Sequence, residues 1–207
     1  MSGRMPLVLR DAVPEDAAAL VELWRACASD SAANGDEAFS HQSLFRVPAV
    51  AEAATALELN LAEPTKRVIV ALVDGRIVGA TVCSIATITP INTTRMLLVT
   101  DIQVTPAHRR RNVAATLLSA AASYGEENDC EIVVAAIPLA AKEPHRYLTK
   151  IGFSQVAAVR AIQASRLRSR LTTKATHSRD TGKLIAVRRT LRRRAEESRL
   201  PGRRVPR

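Results

Sequence analysis

The stretch that decides the fold lies at residues 104–118. It reads Val104-Thr105-Pro106-Ala107-His108-Arg109-Arg110-Arg111-Asn112-Val113-Ala114-Ala115-Thr116-Leu117-Leu118. A β-rich run enters a basic turn, which leads directly into the first turn of an apolar helix. Unpaired N–H groups and the helix dipole favour an anion at such a helix start, and neighbouring arginines add charge-assisted contacts. The stretch therefore predicts either a diphosphate site or an ordinary strand–turn–helix connection with a solvated arginine triplet.

Strand and helix patterns alternate on both sides of this stretch, so the predicted fold class is α/β. The turn Asp74-Gly75-Arg76 predicts a hairpin, and Gly125 and Gly152 are expected to end helices. The expected strands are Leu7–Arg10, Arg67–Val73, Ile77–Ile88, Met96–Val104, Glu131–Ile137, Phe153–Ile162 and Lys183–Leu191; the expected helices are Pro14–Ala28, Val50–Leu61, Val113–Tyr124 and Glu143–Lys150. This order predicts a mixed central β-sheet flanked by helices.

Charge is distributed unevenly along the chain, whose formal net charge is +10 at pH 7. Residues 1–159 contain 14 Lys and Arg against 17 Asp and Glu, whereas residues 160–207 contain 16 against three. So basic a last quarter predicts a polyanionic partner, with RNA, a ribosome or DNA ahead of a membrane surface. A solvated face or a disordered end is the alternative.

We predict one domain over residues 1–192 and a flexible basic C-terminal tail over residues 193–207. The last two expected strands would form a hairpin whose basic loop occupies about residues 163–182. Arg166, Arg168 and Arg170 fall in this loop.

Composition excludes several classes of protein. The chain has one Trp, two Tyr and three Phe, too few for a base-stacking platform, so the core should be aliphatic. The three cysteines, Cys27, Cys83 and Cys130, form no Cys-x-x-Cys pair, which predicts reduced thiols and no metal site. No apolar segment is long enough to span a bilayer. A cytoplasmic protein without membrane contact is expected.

The stretch at 104–118 resembles the cofactor-binding motif of the GNAT family of N-acetyltransferases. That family carries Val-x-Pro-x-x-Arg, then a (Gln/Arg)-x-x-Gly-x-(Gly/Ala) loop and a Leu-Leu helix. The segments Leu9–Ala17, Asp74–Gly79 and Tyr147–Phe153 are similar to further family motifs in the family's order. The matching positions of the main motif are Val104, Pro106, Arg109, Ala114, Leu117 and Leu118. The resemblance covers about residues 7–192 and implies the GNAT fold.

The resemblance implies that acetyl-CoA is the co-substrate and that no metal is needed. Its pyrophosphate would lie on the backbone of Arg109–Ala115, and its pantetheine arm along Ile102–Val104 with the thioester near Gln103. The implied binding residues are Ile102, Gln103, Val104, Arg109, Arg110, Arg111, Asn112, Val113, Ala114 and Ala115. Asn112 stands where the family has glycine, and it tolerates the left-handed backbone that such a loop requires.

Two side chains are candidates for catalysis. An isolated Asp101 inside an apolar strand is expensive to desolvate unless it is paired or faces a cleft, so it is either a general base or a satisfied structural carboxylate. The family's usual proton-donating tyrosine aligns with Leu148, and the neighbouring Tyr147 is the candidate acid. An Asn that the family often carries aligns near Ala141, and His145 is an alternative acid or a surface residue.

Two functions are compatible with these residues. The first is acyl-CoA-dependent N-acetylation of an amine acceptor, which could be a protein N-terminus or lysine, a polyamine or another small amine. The alternative is a catalytically weak GNAT-fold binding module that docks on RNA, a ribosome or another nucleoprotein through residues 160–207. The sequence does not choose the acceptor or the oligomeric state.

Overall fold

The computed structural model describes residues 6–33, 46–89, 91–138 and 141–172. The chain divides after Ser154 into two compact units. The first unit contains the sheet and the helices that pack on it.

One mixed sheet forms the centre of this unit, as the sequence predicted. Its strands are β1 (Val8–Asp11), β2 (Lys66–Val73), β3 (Arg76–Thr87), β4 (Arg95–Val104) and β5 (Ile132–Ala135). They lie in the order β1-β2-β3-β4-β5, antiparallel except for the parallel pair β4–β5. The parallel pair places the end of β4 and the end of β5 at the same edge of the sheet.

In its described residues the first unit contains four α-helices, of which the first three pack on the sheet. The four are α1 (Ala17–Ala33), α2 (Val50–Leu61), α3 (Val113–Glu127) and α4 (Lys142–Lys150). A 3-10 turn at Pro14–Asp16 precedes α1, where the Asp16 carboxylate accepts a hydrogen bond from the Val13 N–H at 2.9 Å. The Arg10 guanidinium lies 2.5 Å from that carboxylate and lowers the pKa of Asp16. Helix α1 thus begins at a fixed point beside β1, and it extends past the expected end at Ala28.

The end of α3 corrects one prediction. Gly125 lies inside the helix rather than closing it. The N–H of Cys130 donates to the Gly125 carbonyl at 2.9 Å, and the N–H of Asp129 donates to that of Glu126 at 3.2 Å. This is a Schellman ending in which Asp129, at φ 57°, supplies the left-handed residue that glycine was expected to supply.

The core has an aliphatic layer on each face of the sheet. Helices α1 and α2 pack on Val68 and Val70, whereas α3 packs on Ile69 and Ala71. Alternate residues of β2 thus face opposite layers. Among the buried residues of the described ranges, Tyr124 is the one aromatic side chain, in agreement with the composition.

Gly79 on β3 lets α3 lie close to the sheet. A Cβ at this position would lie 2.9 Å from Cγ1 of Val113 and 3.1 Å from the carbonyl oxygen of Gln103. Only a residue without a side chain permits this approach. Gly79 therefore helps to set the position of the first turn of α3.

The second unit departs from the prediction. Residues 155–163 form neither helix nor strand, and residues 164–172 are helical, so the strand expected at Phe153–Ile162 is wrong. The large apolar residues of that segment recur every third position, at Phe153, Val156, Val159 and Ile162, which is not the alternation of a strand. Arg166, Arg168 and Arg170 consequently lie on a helix rather than in a loop. The expected strand at 183–191 and the tail at 193–207 lie outside the described residues.

Candidate active site

A β-bulge in β4 determines which way its last residues face. Val82 pairs with Asp101 and the next residue, Cys83, pairs with Val99, so Thr100 is an extra residue without a partner on β3. Because side chains alternate along a strand, one extra residue exchanges the two faces. Val99 packs on the α3 side of the sheet. Asp101 lies two positions further along and, because of the bulge, on the opposite side, facing α1.

The bulge also shifts the backbone hydrogen bonds of β4. The N–H of Thr105 donates to the carbonyl oxygen of Val78 at 2.9 Å, and antiparallel strands bond through every second residue. The N–H and C=O groups of Ile102 and Val104 therefore point away from β3. They face the edge where β5 would continue the sheet.

The strands β4 and β5 separate at this edge. Their pairing ends at Val99 with Ala135, and the Ala136 N–H donates the last hydrogen bond to the Val99 carbonyl at 2.9 Å. The strand ends thereby enclose a cleft of about 1190 Å³. The open edge of β4 forms one of its walls.

The cleft brings together nearly all the site residues that the sequence singled out. Arg111, which is exposed, and the alternative acid His145 are the candidates that do not line it. The candidates that do are Asp101, Ile102, Gln103, Val104, Arg109, Arg110, Asn112, Val113, Ala114, Ala115 and Tyr147. Two residues of the Arg-Arg-Arg triplet thus face the same cavity as the proposed base.

The loop before α3 is built to leave backbone donors open. Arg110 and Asn112 both have left-handed backbones, at φ 60° and 63°. Asn112 occupies the N-cap position, but its side chain makes no capping hydrogen bond with any described residue. Its carbonyl oxygen accepts the N–H of Thr116 at 2.9 Å. The N–H groups of Val113–Ala115 in the first helical turn therefore remain directed to the cleft, as an anion requires.

The Arg109 side chain has protein partners on two helices. Its NH1 lies 2.5 Å from Asp30 of α1 and 3.8 Å from Glu143 of α4. Its Nε donates to the Val104 carbonyl at 3.4 Å, which also accepts the Cys27 thiol at 3.4 Å. Burial raises the pKa of Cys27. Arg109 therefore links α1, α4 and the end of β4, and the phosphate contact proposed for this position would come from its backbone.

Asp101 is a carboxyl with an altered acidity. Burial in the sheet raises its pKa to about 6, and hydrogen bonds from Gln103 and Trp24 oppose that shift in part. At neutral pH the group is mostly ionised, yet it is a stronger base than an exposed aspartate. A carboxyl of this kind at the wall of a cleft is suited to accept a proton from an amine.

No three His, Cys, Asp or Glu side chains of the described ranges are grouped so as to hold a metal ion. No helix in the same part of the chain is long and apolar enough to cross a membrane. Cys27, Cys83 and Cys130 are free thiols.

A sequence model of the acetyltransferase (GNAT) family matches residues 20–153, more than half of the chain. The chain belongs to the GNAT family. The resemblance found in the stretch at 104–118 is thereby confirmed. No curated protein matches the chain significantly.

Solved structures share the fold at low sequence identity. A transcriptional regulator from Bacillus halodurans C-125 has a TM-score of 0.60 at 14% identity, covering 76% of this chain and 99% of its own. An aminoglycoside N-acetyltransferase in complex with CoA has a TM-score of 0.60 at 14% identity, covering 79% and 97%. A ribosomal-protein-alanine N-acetyltransferase from Brucella melitensis biovar Abortus 2308 has a TM-score of 0.56 at 18% identity, covering 76% and 99%.

Apart from Asn112, the positions at which this GNAT chain departs from the family motif lie around α4. Leu148 is buried, and both it and Tyr147 line the cleft, so the phenol one position earlier reaches the same cavity. Ala141 is buried at the N-cap of α4. The Nε2 of His145 donates to the Pro138 carbonyl at 3.1 Å, which ties α4 to the end of β5 and gives His145 a structural role.

Sequence reasoning missed several residues of this GNAT site. Trp24, Asp30 and Glu143 act on Asp101 or Arg109 from helices far away in the chain. Their sequence neighbourhoods carry no motif that marks them. The bulge at Thr100 could not be predicted from the sequence either, because a bulge depends on how the strand pairs with its neighbour.

Proposed function

We propose that this protein is an acyl-CoA-dependent N-acetyltransferase, which transfers an acetyl group from acetyl-CoA to an amine. The observation that carries the proposal is the cleft between β4 and β5. It joins an open strand edge, a helix start with unpaired N–H groups and a carboxyl whose pKa is about 6. Membership of the GNAT family supports the same activity.

The residues of the cleft fit acetyl-CoA. The diphosphate suits the N–H groups of Val113–Ala115 and the arginine at 110. The amides of the pantetheine arm suit the N–H and C=O of Ile102 and the N–H of Val104, which would pair with them as a neighbouring strand does. The small side chain of Ala114 leaves room for this approach. The acetyl thioester would then lie near Gln103.

Acetyl-CoA supplies an acetyl group on a thioester, and the chain supplies positioning and proton transfer. In our proposal the acceptor amine loses a proton to the Asp101 carboxylate, directly or through a water. The amine nitrogen bonds to the acetyl carbon as the carbon–sulfur bond breaks. Tyr147, on the opposite wall, gives its proton to the departing sulfur. The products are an N-acetylated amine and CoA, and proton exchange with water returns Asp101 to the carboxylate and Tyr147 to the phenol.

Calorimetric titration of acetyl-CoA into nucleic-acid-free protein at moderate salt tests this function. We expect one-to-one binding in the micromolar range, followed by thiol release when an accepted amine from a panel of peptides, polyamines and small amines is added. The absence of heat in a folded protein would overturn the proposal.

The variant Ala114→Leu tests, in the same titration, whether the diphosphate lies at the start of α3. The added side chain would occupy the space of the diphosphate at the start of α3, so we expect the affinity for acetyl-CoA to fall at least tenfold. Ser119→Leu is the matched control, because Ser119 is exposed on the same helix and does not line the cleft. Equal affinity in the two variants would mean that the diphosphate lies elsewhere.

We also propose that residues 160–207 contact a polyanion. Every residue from 155 to 172 is exposed, and this segment contains four arginines and no Asp or Glu. Such a surface favours phosphate backbones without reading sequence. This contact is compatible with acetyltransferase activity, because it would bring the enzyme to its substrate without taking part in acetyl transfer.

A further inference from the structure

Three cations lie along one side of α4. Lys142, Arg146 and Lys150 are spaced four residues apart, so they lie above one another on the helix and span about 12 Å. All three are exposed and line the cleft. We call them the α4 cations.

The α4 cations have no carboxylate partner within the described ranges. The one acidic residue of α4, Glu143, lies 3.8 Å from Arg109 and is directed to it. Of the two other acidic residues that line the cleft, Asp30 is engaged by the same guanidinium, and Asp101 is hydrogen-bonded by Gln103 and Trp24. The positive charge of the α4 cations is therefore not neutralised by their surroundings.

Stabilisation of the helix does not explain these cations. A cation favours the last turn of a helix, where Lys150 lies, but disfavours the first turn, where Lys142 lies. Lys142 is thus placed against the helix dipole and towards the cleft. This placement points to an anionic ligand.

Another wall of the cleft, formed by the start of α3, already offers a binding site for one anion. The N–H groups at the start of α3 suit a diphosphate, which is the first anionic group of acetyl-CoA. The second is a phosphate monoester on the 3′ position of its ribose, which carries nearly two negative charges at neutral pH. A monoester of that charge calls for cationic side chains rather than backbone N–H groups alone.

We propose that Lys142, Arg146 and Lys150 bind the 3′-phosphate of acetyl-CoA and make the enzyme discriminate against donors that lack it. Adjacent members are about 6 Å apart along the axis, so their long side chains can converge on one phosphate. This inference rests on the proposed function, because it assumes that acetyl-CoA occupies the cleft.

The test compares acetyl-CoA with acetyl-3′-dephospho-CoA by calorimetry. We expect the full-length protein to bind acetyl-CoA about tenfold or more tightly than the dephospho donor. The variant Lys142→Gln/Arg146→Gln/Lys150→Gln should bind the two donors equally, with the affinity for the dephospho donor unchanged. Glutamine keeps the helix propensity of α4, and the unchanged affinity shows that the cleft is intact.

A matched control separates local contact from general charge. Arg25→Gln/Lys66→Gln/Arg76→Gln removes three exposed cations that do not line the cleft, and it should retain the preference for acetyl-CoA. Equal weakening of both donors in the α4 variant would assign these cations to the diphosphate and overturn the inference. Equal binding of both donors by the unmodified protein would also overturn it. Failure to bind either donor would instead reject the proposed function itself.

Discussion

At the scale of single residues, the most informative group is Asp101. Its position inside an apolar strand marked it in the sequence, and the bulge and the cleft explain how it is tolerated there. The two side chains that hydrogen-bond it differ in this respect. Gln103 is a near neighbour in the strand, whereas Trp24 lies on α1. No local sequence pattern could have predicted the contact between Trp24 and the carboxyl.

Asp101→Asn should make stability less dependent on pH. The pKa of Asp101 is about 6 in the folded chain and about 4 in an unfolded one, so its contribution to stability is present below pH 4 and is lost as the pH rises through 6. Asparagine does not titrate, so the variant lacks this pH-dependent contribution to stability. From pH 4 to pH 8 the unfolding free energy of the unmodified protein should therefore fall by about 2–3 kcal/mol more than that of the variant. Urea unfolding at both values measures this difference.

The same substitution distinguishes a base from a structural carboxylate. In the unmodified protein, kcat/KM should rise with pH through about 6 as Asp101 ionises. In Asp101→Asn, kcat should fall by about 100-fold or more and the limb near pH 6 should vanish, while acetyl-CoA affinity changes little. A parallel loss of affinity and turnover would indicate that the carboxylate holds the strand rather than the proton.

At the scale of elements, the local sequence pattern predicted those helix bounds that depend on contacts within the helix. The bounds of α2 are those expected, and α4 ends at Lys150, just before the expected Gly152, which has φ 102°. The strand expected at Phe153–Ile162 is wrong, because its large apolar side chains recur every third position instead of alternating. The end of α3 was misplaced because aspartate took the left-handed position usually given to glycine.

Gly79→Ala tests how β3 positions the start of α3. A methyl group would meet Val113 at 2.9 Å, so the helix must move. We expect a loss of about 1–3 kcal/mol in unfolding free energy together with a weaker affinity for acetyl-CoA, because the N–H groups of α3 move with the helix. Urea unfolding and calorimetry measure the two effects.

Gly75→Ala is the control for this experiment. Gly75 has φ 73°, and a methyl group added to it would meet no atom within 4 Å, so the substitution strains the hairpin without touching α3. It should destabilise the protein and leave the affinity for acetyl-CoA unchanged. An affinity loss as large as that of Gly79→Ala would show that stability alone limits binding.

At the scale of the whole molecule, the sequence separated a nearly balanced body from a basic end, and the GNAT family match lies within the first part. Order and spacing of several motifs made the fold predictable. The cross-cleft contacts of Arg109 were not predictable, because they depend on how α1 and α4 meet the end of β4.

Deleting residues 193–207 tests the polyanion contact. We expect the affinity for RNA or DNA to fall and its dependence on salt to become shallower, because fewer phosphate contacts release fewer counterions. Acetyl-CoA affinity should not change. Filter binding across a series of salt concentrations gives both quantities. Undiminished binding after the deletion would exclude the tail and leave the arginines of residues 160–192.

The contact between Trp24 and Asp101 also provides an optical signal. Trp24 is the single tryptophan of the chain, so its fluorescence comes from one position, beside the group proposed to take the proton. Emission should change as that carboxyl ionises near pH 6, and again when a ligand fills the cleft. The protein thus carries an unlabelled reporter by which stopped-flow mixing can follow donor binding before any acceptor is known.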